Sequence, residues 1–197
     1  MKAVDLRDRG AGADWILQIE AQTNGPIAVL VNNAGGVGGQ ESRPLEEVSD
    51  EDWNILFDIN VNAAFALCRA AAPGMKRAGG GRIVNTSSGA GLQPSLTGIQ
   101  AYCAAKHAVV GLTRQLAHEL GPYNITVNSV APGFIRSNPA TERQWEGYGP
   151  DGQKALVERI AMKRLGTAQD IANAVVFFAS ELAGFVNGQI LQVDGGR

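Results

Sequence analysis

Tyr102 and Lys106 stand four residues apart in a run, 101–120, whose apolar residues Val109, Leu112, Leu116 and Leu120 recur at helical spacing. On a helix, positions i and i+4 share a face, about one turn apart. A nearby ammonium favours the phenolate. The pair therefore predicts a tyrosine whose pKa is lowered from about 10 towards the working range, able to give or take a proton. The plainer reading is an exposed helix pair with no chemistry. Asn60 interrupts an apolar stripe of Trp53, Leu56, Phe57, Ala64, Leu67 and Cys68. A buried amide needs partners, and the plainer role for it is a tie from helix to backbone. Three further groups follow apolar, β-rich runs: Asn32-Asn33-Ala34-Gly35 after 28–31, Ser87-Ser88 after 82–86, and Pro132-Gly133 after 125–130. Singly, each is an ordinary turn. Together they bring hydrogen-bonding or backbone-exposing residues to one rim.

Such a rim needs strands that all point the same way. Residues 2–6, 28–31, 82–86, 125–130 and 189–193 read as strands, and 11–23, 50–77, 101–120 and 167–180 as helices. Ala28-Val29-Leu30-Val31 is apolar throughout, the mark of a strand buried on both faces. Ser49-Asp50-Glu51-Asp52 gives a capped helix start with acids in its first turn. Gly79-Gly80-Gly81 and Gly121-Pro122 supply stops. Residues 136–163 are polar with scattered aromatics and carry no clear element. The alternation predicts an α/β, doubly wound, Rossmann-like parallel sheet in a single domain, 1–197, with 136–163 as an insert covering the substrate. Ligands of such sheets bind outside the carboxyl ends of the strands.

Composition narrows the functions. With 17 basic and 19 acidic residues in 197, the formal charge is −2. That disfavours nucleic acid or an anionic membrane as partner. Cys68 and Cys103 form neither a disulfide framework nor a metal spacing, and His107 and His118 lack a carboxylate pattern, so no metal site is expected. No signal peptide and no run of 18 apolar residues is present, so no membrane span and a reducing, cytoplasmic setting are expected. Gly is 25 of 197 with no collagen period, which assigns glycine to turns and close backbone approach.

Asn32-Asn33-Ala34-Gly35, Asn60, Ser88, Tyr102-x-x-x-Lys106, Pro132-Gly133 and the closing Val193-Asp194-Gly195-Gly196, in this order and spacing, resemble the short-chain dehydrogenase/reductase family. The resemblance implies an NAD- or NADP-dependent oxidoreductase that interconverts a carbonyl and an alcohol by hydride transfer. It implies a catalytic tetrad of Asn60, Ser88, Tyr102 and Lys106. Tyr102 exchanges the proton, Ser88 polarises the carbonyl, Lys106 holds the ribose and depresses the Tyr102 pKa, and Asn60 anchors a water leading to Lys106. Asp5, Asn32, Ala34, Gly35, Pro132, Gly133, Ile135 and Ser137 are implied as cofactor contacts, beside Tyr102 and Lys106.

Trp145, Tyr148, Met162, Arg143, Glu146 and Gln93 are expected near a small-molecule substrate. Helices 50–77 and 101–120 resemble the pair that builds a homotetramer or homodimer in the family. The family's opening strand and glycine-rich TGxxxGxG turn have no counterpart. Gly36-Val37-Gly38-Gly39 is followed by a loop rather than a helix. Two strands of the family sheet are therefore expected to be lacking, leaving 2–6 without a neighbour and 28–31 as an open edge. That gap leaves a second reading, a non-catalytic relative acting as an assembly or binding partner.

Overall fold

The structure is a computed structural model that describes residues 3–197. Four strands, β1 (Val29–Asn32), β2 (Gly81–Thr86), β3 (Ile125–Pro132) and β4 (Ile190–Val193), form one parallel sheet in the order β1-β2-β3-β4. The register sets Val31 beside Val84, Val84 beside Asn128, and Ser129 beside Ile190. Parallel strands need long crossovers, and helices supply them. α1 (Arg9–Thr23) precedes β1. α2 (Asp50–Phe57), a π-turn (Asp58–Asn62) and α3 (Ala63–Ala78) join β1 to β2, and α4 (Gln100–Leu120) joins β2 to β3. α5 (Pro139–Gly147), α6 (Gly149–Arg159) and α7 (Ala168–Ala179) lie between β3 and β4.

The sheet separates two apolar layers. Ile16, Leu67, Met75 and Leu120 from α1, α3 and α4 pack on Ile83 and Val127. On the other face Phe178 of α7 packs on Val84 and Val130. Each large side chain so buried contributes roughly 1.5–3 kcal/mol. The helix ends follow the sequence signals. The Ser49 hydroxyl accepts the Asp52 N–H at the start of α2. Thr167 and Asp170 cap α7 reciprocally, and α3 closes at Gly79 with φ 74°.

Three expectations change. Residues 3–6 form no strand, and Lys2 lies outside the described residues. An extended segment becomes a strand only against a neighbour, and among the described residues β1 pairs with β2 alone. Residues 136–163 hold two helices rather than an irregular insert. Asn138 accepts the N–H groups of Ala140 and Thr141, the Thr141 hydroxyl accepts from the Asn138 N–H, and Pro139 occupies the first helical position. Lastly, the helical stretch Asp50–Ala78 is long and apolar enough to span a membrane by length and composition, with mean hydropathy 1.4 over its best window. Its inner side chains, Ala64, Leu67, Cys68, Ala71 and Met75 among them, are nevertheless in the core against the sheet and α1.

Candidate active site

The carboxyl ends of β2 and β3 and the first two turns of α4 meet at one corner. β2 ends in Thr86, and its continuation turns through Ser87, Ser88 and a 3-10 turn, Gly89–Gly91. Ser87 is buried, and its hydroxyl donates to the Lys106 carbonyl (3.0 Å). Ser88 faces the other way, into a cavity of about 720 Å³, where its oxygen accepts the Ala90 N–H (3.2 Å). Adjacent serines in extended backbone point to opposite sides, so the two hydroxyls have different partners although both residues border the cavity. Gly91 is required here, because a Cβ would lie 2.6 Å from the Lys106 carbonyl oxygen and collide with the Ser87 hydroxyl.

Tyr102 and Lys106 line the same cavity from α4. The Lys106 Nζ donates to the Thr86 carbonyl (2.9 Å) and sits 5.7 Å from the centre of the Tyr102 ring. Burial takes the ammonium out of water and brings the Lys106 pKa down to about 8. The Tyr102 phenol is held above its ordinary value by burial, with a hydrogen bond to Ser88 pulling the other way. This corrects the sequence-based expectation of a phenol depressed by Lys106. Spacing along the helix carries the charge of a neighbour but not the degree of burial, and burial is the larger effect.

Asn60 lies in the π-turn, buried. Its amide donates to the carbonyls of Gly36 (2.9 Å) and Leu56 (2.8 Å), and its oxygen accepts the Gly36 N–H (2.9 Å). The side chain is thus a clasp from helix to loop. Both amide hydrogens are engaged by backbone. Gly35 fits beneath this clasp only because it lacks a Cβ: at φ 146°, one would sit 2.6 Å from Asn60 Oδ1.

Gly35, Pro132, Gly133, Ile135 and Ser137 join Ser88, Tyr102 and Lys106 around the cavity. Asn32 and Ala34 line a smaller hollow of about 360 Å³ beside α1. The Asn32 amide donates to Asn85 Oδ1 (2.8 Å) and Cys68 Sγ (3.2 Å), bracing β1 to β2. Burial pushes the Cys68 thiol up to about 12, so it is inert. Asp5 lies outside both cavities, exposed and engaged by the Arg7 guanidinium at 2.6 Å. Trp145 stacks on Phe134 and Tyr148 meets it edge-on, and neither borders the cavity; nor does Gln93, whereas Pro94, Ser95, Leu96 and Thr97 do. Thr141, Gln144 and Arg197 are cavity residues that sequence reading missed. The Asn138-Pro139-Ala140-Thr141 cap was the available signal, because it starts a helix with Thr141 and Gln144 one turn apart on one face.

A nicotinamide dinucleotide is an anion with a flat polar ring. Among the described residues the cavity wall carries the Lys106 and Arg197 side chains and no Asp or Glu side chain, and the backbone of residues 132–135 borders it. The residues present fit the nicotinamide and ribose end of such a cofactor. Among the described residues no glycine-rich turn opens a helix beneath the cavity, since Gly36, Gly38 and Gly39 lead into a loop. Nor do the described residues hold a cluster of metal-ligating side chains.

Ser88, Tyr102 and Lys106 thus meet at one cavity at the carboxyl ends of a parallel sheet. The family model described as enoyl-(acyl carrier protein) reductase matches residues 1–197. A 3alpha-hydroxysteroid dehydrogenase of Mediterraneibacter gnavus is 41% identical over 197 residues, covering 98% of this chain and 74% of its own length. The solved structure of ElxO with NADP bound superposes with TM-score 0.87 at 31% identity, covering 98% of this chain and 75% of the other. A 3-oxoacyl-[acyl-carrier protein] reductase of Brucella melitensis with bound NAD gives TM-score 0.83 at 34% identity, over 98% and 69%. The chain belongs to the short-chain dehydrogenase/reductase family of NAD(P)-dependent oxidoreductases.

Proposed function

We propose that the chain interconverts a ketone and a secondary alcohol on a small molecule, with Tyr102 as the proton donor and acceptor. The observation that carries this is the corner itself: Ser88, Tyr102 and Lys106 border one cavity, with the Lys106 ammonium beside the Tyr102 ring. A bound NAD or NADP supplies the hydride in reduction and takes it up in oxidation. Ser88 donates a hydrogen bond to the carbonyl oxygen and orients it. Tyr102 passes its phenolic proton to the same oxygen as negative charge develops there, and takes it back in the reverse direction. The Lys106 ammonium steadies the phenolate that remains and holds the ribose hydroxyls. Pro132, Gly133, Ile135 and Ser137, which border the cavity, would hold the bound dinucleotide, the first three through backbone groups. Asn60 serves by keeping Gly35 and Gly36 in place at the rim.

Relatives named for a hydroxysteroid and for an acyl-carrier thioester share this corner's family, and the substrate class proposed is their common part, a carbonyl or carbinol carbon. A homotetramer or homodimer in a reducing, cytoplasmic setting completes the proposal. It is supported by two free cysteines and by exposed apolar groups on α2 and α3, Trp53 and Phe65.

The test is a fluorescence titration of NADH and NADPH with the chain, followed by assay of ketone reduction. Saturable binding with turnover that Tyr102→Phe removes is expected. Binding without turnover, or turnover unchanged in Tyr102→Phe, contradicts the assignment.

A further inference from the structure

We infer that Gln144 is a specificity-determining residue that recognises a hydroxyl group on the substrate. The inference rests on the proposed ketone–alcohol chemistry and names the substrate class within it. It begins with how firmly α5 is held. The helix starts at a complete capping box formed by Asn138 and Thr141. Phe134, buried just past the end of β3, stacks on Trp145 (6.0 Å) and meets Tyr148 edge-on (5.7 Å). Gln153 donates to the Trp145 carbonyl (2.9 Å), tying α6 to α5. The cavity wall formed by α5 is therefore a fixed surface rather than a loose cover.

The polar groups on that wall and on the segment 94–97 are mostly committed to the protein. Asn138 Oδ1 accepts two backbone N–H groups. The Thr141 hydroxyl accepts from the N–H groups of Ser137 and Asn138 and donates to the Asn138 carbonyl. Ser95 and Thr97 bond each other, and each also accepts a backbone N–H. Arg136 is turned to the Glu142 carboxylate, at 2.7 Å, and to the Trp145 ring. Asn138, at the start of α5, and Gln144, further along it, each keep one end of the amide free, Nδ2 and Oε1 respectively. The Gln144 amide has a single protein partner, the Tyr148 hydroxyl at 2.7 Å. That bond fixes the amide plane and leaves the other end of the amide unpaired, on a residue that lines the cavity.

The chemistry of the missing partner follows. Gln144 Nε2 donates to Tyr148, so the free end is the Oε1 carbonyl, which accepts, and a substrate hydroxyl satisfies it by donating. Phe134, Ile135 and Leu96, which line the same cavity, offer no alternative polar partner. A substrate presenting only carbon there leaves a half-buried amide end desolvated and unpaired, the arrangement that discriminates most sharply against an analogue lacking the hydroxyl. The structure thus points to a hydroxylated ketone or a diol rather than a plain ketone or alcohol.

The test pairs two compounds differing by one hydroxyl. With saturating NADPH or NADH, kcat/KM is measured for 2-hydroxycyclohexanone and cyclohexanone. In parallel, ligand-observed NMR measures binding of trans-1,2-cyclohexanediol and cyclohexanol to the full chain. The unaltered chain is expected to favour the hydroxylated member by about tenfold or more. Gln144→Leu removes that preference with cyclohexanone reduction kept, and Tyr148→Phe, which frees the amide plane, lowers it partway. Thermal melts of both variants check that the fold is intact. A preference unchanged in Gln144→Leu, or absent from the unaltered chain, overturns the inference. Tyr102→Phe separates the two readings: it stops turnover but leaves the diol's binding advantage. If turnover is absent throughout, the binding comparison alone decides, and no diol advantage refutes Gln144's role.

Discussion

Two ends of one sheet are built to different standards. At the corner where β2 and β3 meet α4, the polar groups are buried and committed: Ser87 to the Lys106 carbonyl, Lys106 to the Thr86 carbonyl, and Asn85 to Thr113 (2.9 Å). At the outer edge, β1 has a neighbour on one side only. Val29 and Val31 are each 41% exposed, and the buried Asn32 Oδ1 has no partner. The difference teaches that the proposed proton-handling groups, on α4, are tied to the end of the central strand β2 through Lys106 and Thr86. The rim at Gly35 and Gly36 does sit at that edge, and a single clasp, Asn60, carries it.

The contrast can be broken or sharpened by substitution. The largest effect is expected from Tyr102→Phe. It removes the proton but neither the ring nor its packing, so kcat falls by roughly 10²–10⁴-fold with an unchanged melting temperature. A melt shifted by many degrees, or a kcat within about twofold, contradicts the corner's assigned role.

Lys106→Met comes next and turns on pH. The Lys106 pKa lies at about 8, below the ordinary lysine value of 10.5. Between those two values the unfolded chain holds more protons than the folded one, so this group makes stability rise with pH through that window. Below it, the cost of burying the ammonium is constant and complete. Lys106→Met removes the cost. Its stability relative to the unaltered chain therefore declines by about 2–4 kcal/mol between neutral pH and the top of the window. Denaturant melts at several pH values measure this, and a pH-independent difference refutes it. Turnover is lost at every pH.

Gly91→Ala follows, at about 1–3 kcal/mol of destabilisation, because the new Cβ presses on the Lys106 carbonyl and the Ser87 hydroxyl. Activity falls with stability if the Ser88 turn is displaced. The smallest effect belongs to the edge. Val31 and Val84 are register partners, yet Val84 is fully buried. Val84→Ala costs roughly 2 kcal/mol, whereas Val31→Thr stays within about 0.5 kcal/mol. Equal costs at the two positions erase the distinction between centre and edge.

How much of this could be read from sequence depends on where each signal resides. Tyr102 and Lys106 were legible because helical spacing alone puts them on one face. Ser88 was separable from Ser87 only by alignment to a family pattern, and the structure gives the physical reason: one hydroxyl turns in to the Lys106 carbonyl, the other out to the cavity. Residues 3–6 carry local β propensity yet form no strand, because propensity alone cannot replace the hydrogen-bonding neighbour that the sequence already indicated they lack. α5 and α6 were missed because they are polar, and the capping pattern at Asn138, rather than hydrophobic period, announces them. The Tyr102 pKa was taken in the wrong direction because desolvation is a property of the packed corner, not of the Tyr-x-x-x-Lys spacing.

The central claim is that Tyr102 protonates an oxygen whose carbon receives a hydride. The direct measurement uses NADH or NADPH deuterated at the transferable position of C4, with 2-hydroxycyclohexanone as acceptor, and mass spectrometry of the product. One deuterium at the new carbinol carbon with the unaltered chain, and no labelled product above background with Tyr102→Phe, is the predicted result. Unlabelled product from the unaltered chain, or equal labelling by Tyr102→Phe, contradicts it.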